Sequence, residues 1–564
     1  MRAYGWRIAA FVTVAILLWT GLAWAVFPGG EGPSDPSLTQ STDPSKLAAA
    51  PTTSLNAVST AVAPVEGSND STQHDHQTTA APATAAPTVP PTSAPQTTAV
   101  AAAPPTSPPT PPVSAPVGPV VTGDVSQNNP VVNIGETLTF DPTSNTTMRV
   151  TGNLTVLGNL IMHPNPDVTH RIVFENRGEF IVTGSGVLDI HGTPKTAWNR
   201  TGSDPSWRGS DELIVAPISP GDYQYHSFSL GSAVPTYQGY AAEVANLTRN
   251  VIIDNPSRVM LHGLDGHAPQ TIKYATISNA GIRDKLGFYA LHFHLNGNAT
   301  RGSIVEGVLV RDSHFRAFVP HGSHGITFRD TLAVNVVANG YWWDLRRAEG
   351  GAANDSHDIA YVRAGVIGFS SSDPPDQGRQ AGFNLGDGSG NMVTDSFVAG
   401  LTSGGTSSGF QWPSNAHSVW HAENLVAHNN KGDGFFVWQN DAEPHLITDI
   451  DSYLNAGAGI NQGAYANSYQ WIGARLVGNG EGLRLNTRSK PAPRPRQTFQ
   501  CLIIQDSPVG VVVDFSPNDN GDSTLLRNVV IHGVGKEFDV TQGALAAGQT
   551  LEARVELVDY QAPC

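Results

Sequence analysis

Asn430-Lys431-Gly432-Asp433-Gly434-Phe435-Phe436-Val437, Asn455-Ala456-Gly457-Ala458-Gly459-Ile460 and Asn479-Gly480-Glu481-Gly482-Leu483-Arg484-Leu485 are three copies of one pattern. Each sets an Asn/Gly turn before a short apolar strand. Gly434 and Gly459 lie 25 residues apart, and Gly459 and Gly482 lie 23 apart. Ser507-Pro508-Val509-Gly510-Val511-Val512-Val513 reads as a further copy. A period in the low twenties with a strand after each turn is the signature of a parallel β-solenoid, whose coils bury alternate strand residues and stack on one another. Helical solenoids have longer periods and helix-period patterning, which this stretch lacks.

Upstream, short alternating runs follow one another: Thr137-Leu138-Thr139-Phe140, Met148-Arg149-Val150, Leu154-Thr155-Val156, Arg171-Ile172-Val173-Phe174 and Glu179-Phe180-Ile181-Val182. Gly, Asn or Pro bounds each one, as tight turns between strands require. Glycines recur at Gly152, Gly158, Gly178, Gly184, Gly186 and Gly192. This region is expected to be all-β, either a sandwich or the first coils of the solenoid.

The 564 residues include 58 Gly and 41 Pro, and the formal net charge is −16. An acidic chain of this size is a poor general binder of nucleic acid or of anionic membrane. Two cysteines, Cys501 and Cys564, exclude a disulfide-dense scaffold and a cysteine-rich metal domain, but suffice for one bridge in an exported protein. The N-terminus carries Arg2 and Arg7, an apolar run from Ile8, and Ala23-Trp24-Ala25, a small-x-small cleavage pattern. Residues 1–27 are therefore expected to be a signal peptide, with an uncleaved anchor as the alternative and as the chain's only membrane contact. Residues 28–122 are rich in Pro, Thr and Ala and almost without aromatics, so they cannot repay the entropy of folding. They are expected to form a disordered stalk, and the whole to be secreted or cell-surface anchored. His74-Asp75-His76 within the stalk is given no weight.

The richest segment runs from Asp265 to Arg347. In Tyr289-Ala290-Leu291-His292-Phe293-His294-Leu295, strand alternation puts Leu291, Phe293 and Leu295 on the core side and both histidines on the other. Two imidazoles at i and i+2 on a rigid strand can ligate one metal or make a catalytic pair. His262, His267, His314, His321 and His324 crowd nearby. His267, His292 and His294 are the expected ligands of one divalent metal ion, with His314 and His321 as acid–base candidates. Glycoside hydrolysis ordinarily needs paired carboxylates, and the candidates are Asp284, Glu306, Asp312, Asp330 and Asp344. Asp312 and Asp330 fit turn capping better. Alternation in Tyr341-Trp342-Trp343-Asp344-Leu345-Arg346 puts Trp342, Asp344 and Arg346 on one face, suited to a sugar ring: a platform, a catalytic carboxylate and a guanidinium. A lyase would need a base and a cation at a uronic acid carboxylate, and Arg283 or Arg316 would supply charge. The residues leave hydrolase and lyase both open. Trp412, Trp420, Trp438 and Trp471 are expected mostly in the core.

Several segments together resemble a known family. Val132-Asn133-Ile134-Gly135-Glu136-Thr137-Leu138, Leu188-Asp189-Ile190-His191-Gly192, Lys195-Thr196-Ala197-Trp198 and Ala242-Glu243-Val244-Ala245-Asn246-Leu247-Thr248-Arg249-Asn250-Val251 are similar to the G-eight domain, named for its eight glycines. That domain is found in cell-surface and secreted hyaluronan-degrading proteins and in fibrocystin-like receptors. Gly287-Phe288-Tyr289-Ala290-Leu291-His292-Phe293-His294-Leu295 resembles the same family's Gly-Arg-Tyr-Pro-Ile-His-Phe-His-Leu signature. Phe288 and Ala290 stand where the family has Arg and Pro, which removes a partner for an anionic sugar. The resemblance implies a G-eight-type all-β domain over 123–250 and a right-handed parallel β-helix over 251–564. It also implies degradation of an extracellular polysaccharide in a groove of the helix, the alternative being a non-catalytic surface module that binds glycans or proteins.

Overall fold

A computed structural model describes residues 118–342, 355–370, 380–405, 407–412, 419–437, 445–462, 469–486, 497–514, 523–546, 548 and 550–564. The expected signal segment, nearly all of the stalk, and Trp343, Asp344, Arg346 and Trp438 lie outside the described residues. The described chain is a parallel β-helix. One sheet contains 14 strands, one per coil, from Val131–Val132 to Lys536–Val540. As far as Phe397–Ala399 each coil runs through three sheets in turn, and from His421–His428 onward one long strand spans the third and the first. The first sheet holds Gly123–Asn128, Thr146–Thr151, His170–Phe174, Val251–Asp254, Ala275–Ser278 and their successors. The second is the 14-stranded sheet. The third holds Thr137–Phe140, Asn159–Met162, Val187–His191, Thr271–Lys273, Ile304–Glu306 and onward.

Sequence alternation becomes inside and outside. In Val187–His191 the side chains of Leu188 and Ile190 are buried, while Val187, Asp189 and His191 point out. The interior forms one continuous apolar core along the helix. Equivalent aromatic residues stack from coil to coil: Phe318, Tyr341, Phe383, Phe410 and Phe435 follow one another at 4.3–5.1 Å with nearly parallel rings. Such pairs contribute about 0.5–1.5 kcal/mol each beyond area burial. Trp412, Trp420 and Trp471 are core residues, as expected.

The repeated asparagine has a structural cause. Asn430 donates its backbone N–H and side-chain amide to Asn455 Oδ1 at 3.1 and 2.8 Å, and Asn455 does the same to Asn479 Oδ1 at 3.0 and 2.9 Å. The ladder satisfies the buried polar groups of the corner where the strand turns. The glycine beside each rung answers a close approach, since a Cβ at Gly434 would overlap the Ser452 hydroxyl.

The corner between the third and first sheets uses left-handed residues. Tyr274, Asp330, Arg363 and Asp395 have φ of 50–54° there, and Asn424, Asp449, Cys501 and Asn528 have φ of 51–57° within the long strands of the later coils. Asn and Asp are the non-glycine residues that best tolerate this conformation.

Residues 193–250 enter at that same corner, between Val187–His191 and Val251–Asp254. They form a four-stranded antiparallel sheet and a small hairpin. Their apolar side lies on the outward face of the first sheet, against Leu309, Leu332, Val334, Ile367, Phe397 and Val426. Ala197 N–H donates to Asp330 Oδ2 at 2.8 Å, and the Trp198 indole donates to the Arg363 carbonyl at 2.9 Å. Glu243 is buried there between His428 Nε2 at 2.8 Å and Arg200 Nε at 2.9 Å. The structure places no break at residue 250. Val251 pairs in parallel with His170 and Ala275, so residues 123–192 are the first coils of the same helix. Cys501 and Cys564 form a disulfide that ties the chain's end to the Thr498–Gln505 strand.

Candidate metal centre

The second sheet brings three neighbouring strands together: Arg258–Leu264, Leu291–Gly297 and Phe318–Ser323. Their register places Met260, His292 and Val319 on one rung, and His262, His294 and His321 on another two residues along. The outward side therefore gathers His292, His294 and His321, whose ligand atoms all lie within 4.8 Å of one another. Ring centroids are 4.9 Å apart for His292–His294, 5.0 Å for His294–His321 and 5.9 Å for His292–His321. Phe293 points into the core, as alternation requires. Leu295 does not: the backbone there turns left-handed, with φ 51°, and leaves the side chain 46% exposed.

An apolar wall stands beside the trio. Tyr289, Phe315, Val319, Ala338 and Trp342 form a buried cluster, and the Tyr289 ring meets His292 edge-on at 4.8 Å. The Arg316 guanidinium is buried within this wall. It lies 3.2 Å from the centre of the Trp342 ring and hydrogen-bonds to Tyr289 Oη and Asn339 Oδ1 at 3.1 and 3.2 Å. His292 and His321 are buried, and His294 is half-buried at the surface.

Three neutral imidazoles suit zinc, copper, iron or nickel. Three protein ligands with a further position left for water or substrate is the pattern of catalytic zinc sites. A tetrahedral site with bonds of about 2.0–2.1 Å has ligand–ligand edges of about 3.4 Å, so binding would draw these rings together by small side-chain rotations.

The other expected site residues are placed differently. His267 sits exposed after the Arg258–Leu264 strand and does not join the trio, and His321 takes its place as the third imidazole. The reason is register: His321 stands beside His294 on the adjacent coil. His314 is exposed on the turn before Phe318–Ser323 and is not among the clustered ligands. Arg283 is exposed on the 279–290 loop, 3.2 Å from Asp284. Arg316 and Trp342, expected to contact sugar, are both buried, the guanidinium against the indole. Glu306 pairs with Lys273 on the third sheet, Asp312 with Arg311 and Asn335, and Asp330 receives the inserted segment. Burial raises the Asp330 carboxyl above the ordinary range, against hydrogen-bonding and cationic neighbours that lower it.

Residues 259–344 match the CEMIP beta-helix family, a span that contains all three histidines. Two G8 domain-containing proteins of Dictyostelium discoideum are also similar: one is 27% identical over 149 residues, the other 24% identical over 205. Over these spans the chain is similar to CEMIP-type β-helix and G8 domain-containing proteins. The alignments cover 25% and 30% of this chain, and only 10% and 18% of those relatives' lengths. Among solved structures, the periplasmic alginate epimerase AlgG is similar at TM-score 0.32 and 11% identity, covering 76% of this chain and 77% of that one. Tailspike protein 3 of bacteriophage CBA120 is similar at TM-score 0.31 and 10% identity, covering 78% and 55%.

Proposed function

We propose that this protein acts on an extracellular polysaccharide at the second-sheet histidines, and that His292, His294 and His321 hold one divalent metal ion. The observation that carries the reading is the convergence of three imidazoles on adjacent coils. The CEMIP-type match over the same coils supports the glycan assignment. A metal held there would supply Lewis acidity and an activated water. The rigid strands fix the three rings, and the wall of Tyr289, Trp342 and Arg316 shields one side of them from water. An exported location accords with the N-terminal segment and with the Cys501–Cys564 bridge, since disulfides persist in oxidising compartments.

The burial of Arg316 and Trp342, and the engagement of the described carboxylates elsewhere, favour a second reading: a surface module that binds glycans without cleaving them. Size-exclusion analysis of hyaluronan and of other uronic-acid polymers, incubated with the full chain and zinc, separates the two. Chelator-sensitive shortening, lost in His294→Ala and His321→Ala with unfolding midpoints unchanged, supports the enzyme. Glycan retention without any product overturns it.

A further inference from the structure

A second cluster lies on another face of the helix, in the coils before residue 259. Asn159–Met162 and Val187–His191 are parallel neighbours in the third sheet, with Ile161 opposite Asp189 and Met162 opposite Ile190. His163 and His191 directly follow Met162 and Ile190 in sequence. Leu188 and Ile190 point inward, so Asp189 and His191 share the outward side with His163. Both imidazoles present Nε2 to the same carboxylate: His163 to Oδ2 at 3.2 Å, His191 to Oδ1 at 3.0 Å. The two rings meet edge to face at 4.6 Å, and the three ligand atoms lie within 4.8 Å of one another.

We infer that His163, Asp189 and His191 form a divalent-metal site of the two-histidine, one-carboxylate type, separate from the histidine trio of the second sheet. The two His–Asp separations are already close to the edge of about 3.4 Å in a tetrahedral zinc site. Nitrogen and carboxylate donors in this ratio suit first-row metals such as zinc, iron or nickel better than calcium or magnesium. The nearest cation in register, Lys273 beside His191, is turned to Glu306 Oε2 at 3.1 Å. Its charge is thereby offset rather than opposed to a bound metal. The three side chains are 44%, 39% and 42% exposed, which leaves the remaining coordination positions to water or to an incoming ligand.

The same geometry without metal is a carboxylate bridged by two imidazole N–H groups, and metal binding distinguishes the two states. Equilibrium dialysis of the full chain against chelator-buffered zinc chloride, with wild type, His191→Ala, Asp189→Asn and His294→Ala, provides the test. Asp189→Asn keeps the hydrogen-bond acceptor and removes the charge. At free zinc up to micromolar, His191→Ala and Asp189→Asn are each expected to bind one equivalent less than wild type, with metal-free unfolding midpoints within a few degrees of it. Zinc is expected to raise the wild-type midpoint more than that of Asp189→Asn. The His294→Ala result tests the other centre separately. Zinc binding by His191→Ala and Asp189→Asn equal to wild type at every concentration overturns the inference.

Discussion

Glu243→Gln should loosen the inserted segment from the coils it covers. Glu243 and His428 are both fully buried, at 0% side-chain exposure, and the carboxylate also accepts from Arg200 Nε. Burial alone would raise the Glu243 carboxyl, but the charges and hydrogen bonds of His428 and Arg200 outweigh it and hold it at about 2, against an ordinary 4.5. That displacement corresponds to about 3 kcal/mol of stability. Truncating one partner of a buried pair costs about 3–5 kcal/mol, because the other charge is left buried. The folded value is depressed, so this stability is present above pH 4.5 and is lost as the pH falls toward 2. Hydrogen exchange over residues 193–250 and urea unfolding, at pH 7 and near pH 3, measure both consequences. Glu243→Gln should lose about 3 kcal/mol of protection at pH 7, and the difference from wild type should shrink at low pH. Unchanged protection and midpoint at pH 7 would refute the reasoning.

Asp433 should show the opposite pH dependence. Burial pushes its carboxyl up to about 7 despite hydrogen bonds from Asn461 and Ala458, so its contribution is full below the unfolded value near 4 and is lost as the pH rises through 7. Asp433→Asn should therefore stabilise the chain at pH 8, by an amount on the order of a few kcal/mol, and flatten denaturation midpoints measured from pH 5 to 8. Asn455→Ala removes the middle rung of the asparagine ladder and its five side-chain hydrogen bonds, and should cost about 5 kcal/mol in chemical denaturation, at roughly 1 kcal/mol per lost hydrogen bond. Reducing the Cys501–Cys564 bridge, which spans a sequence separation of 63, should cost about 4 kcal/mol, seen as a lower unfolding midpoint that Cys564→Ser reproduces.

The solenoid was legible because its causes repeat along the chain. The ladder demands Asn and the close approach demands Gly at each coil, so Asn430, Asn455 and Asn479 mark the period directly. The place of residues 123–192 was less legible. The inserted segment separates His191 from Val251, and only the pairing of Val251 with His170 shows that one helix continues across it. Alternation found His292 and His294 because that rule acts within a strand. It failed at Leu295, where the strand turns, and it gave no reason to prefer His321 to His267. The missing signal was coil spacing: His321 follows His294 by 27 residues, and His191 follows His163 by 28, about one coil in each case. Arg316 and Trp342 fit a sugar by residue type, whereas burial places them in the wall. Trp342, Asp344 and Arg346 shared an expected face, of which only Trp342 is among the described residues.

The central claim is that His292, His294 and His321 bind one metal ion together. Anomalous diffraction at the zinc edge, from crystals of the protein grown with zinc chloride, tests it most directly. The expected result is a strong peak about 2.0–2.1 Å from one nitrogen of each of the three imidazoles, absent from His294→Ala crystals. Three well-ordered imidazoles with no anomalous peak between them would contradict it.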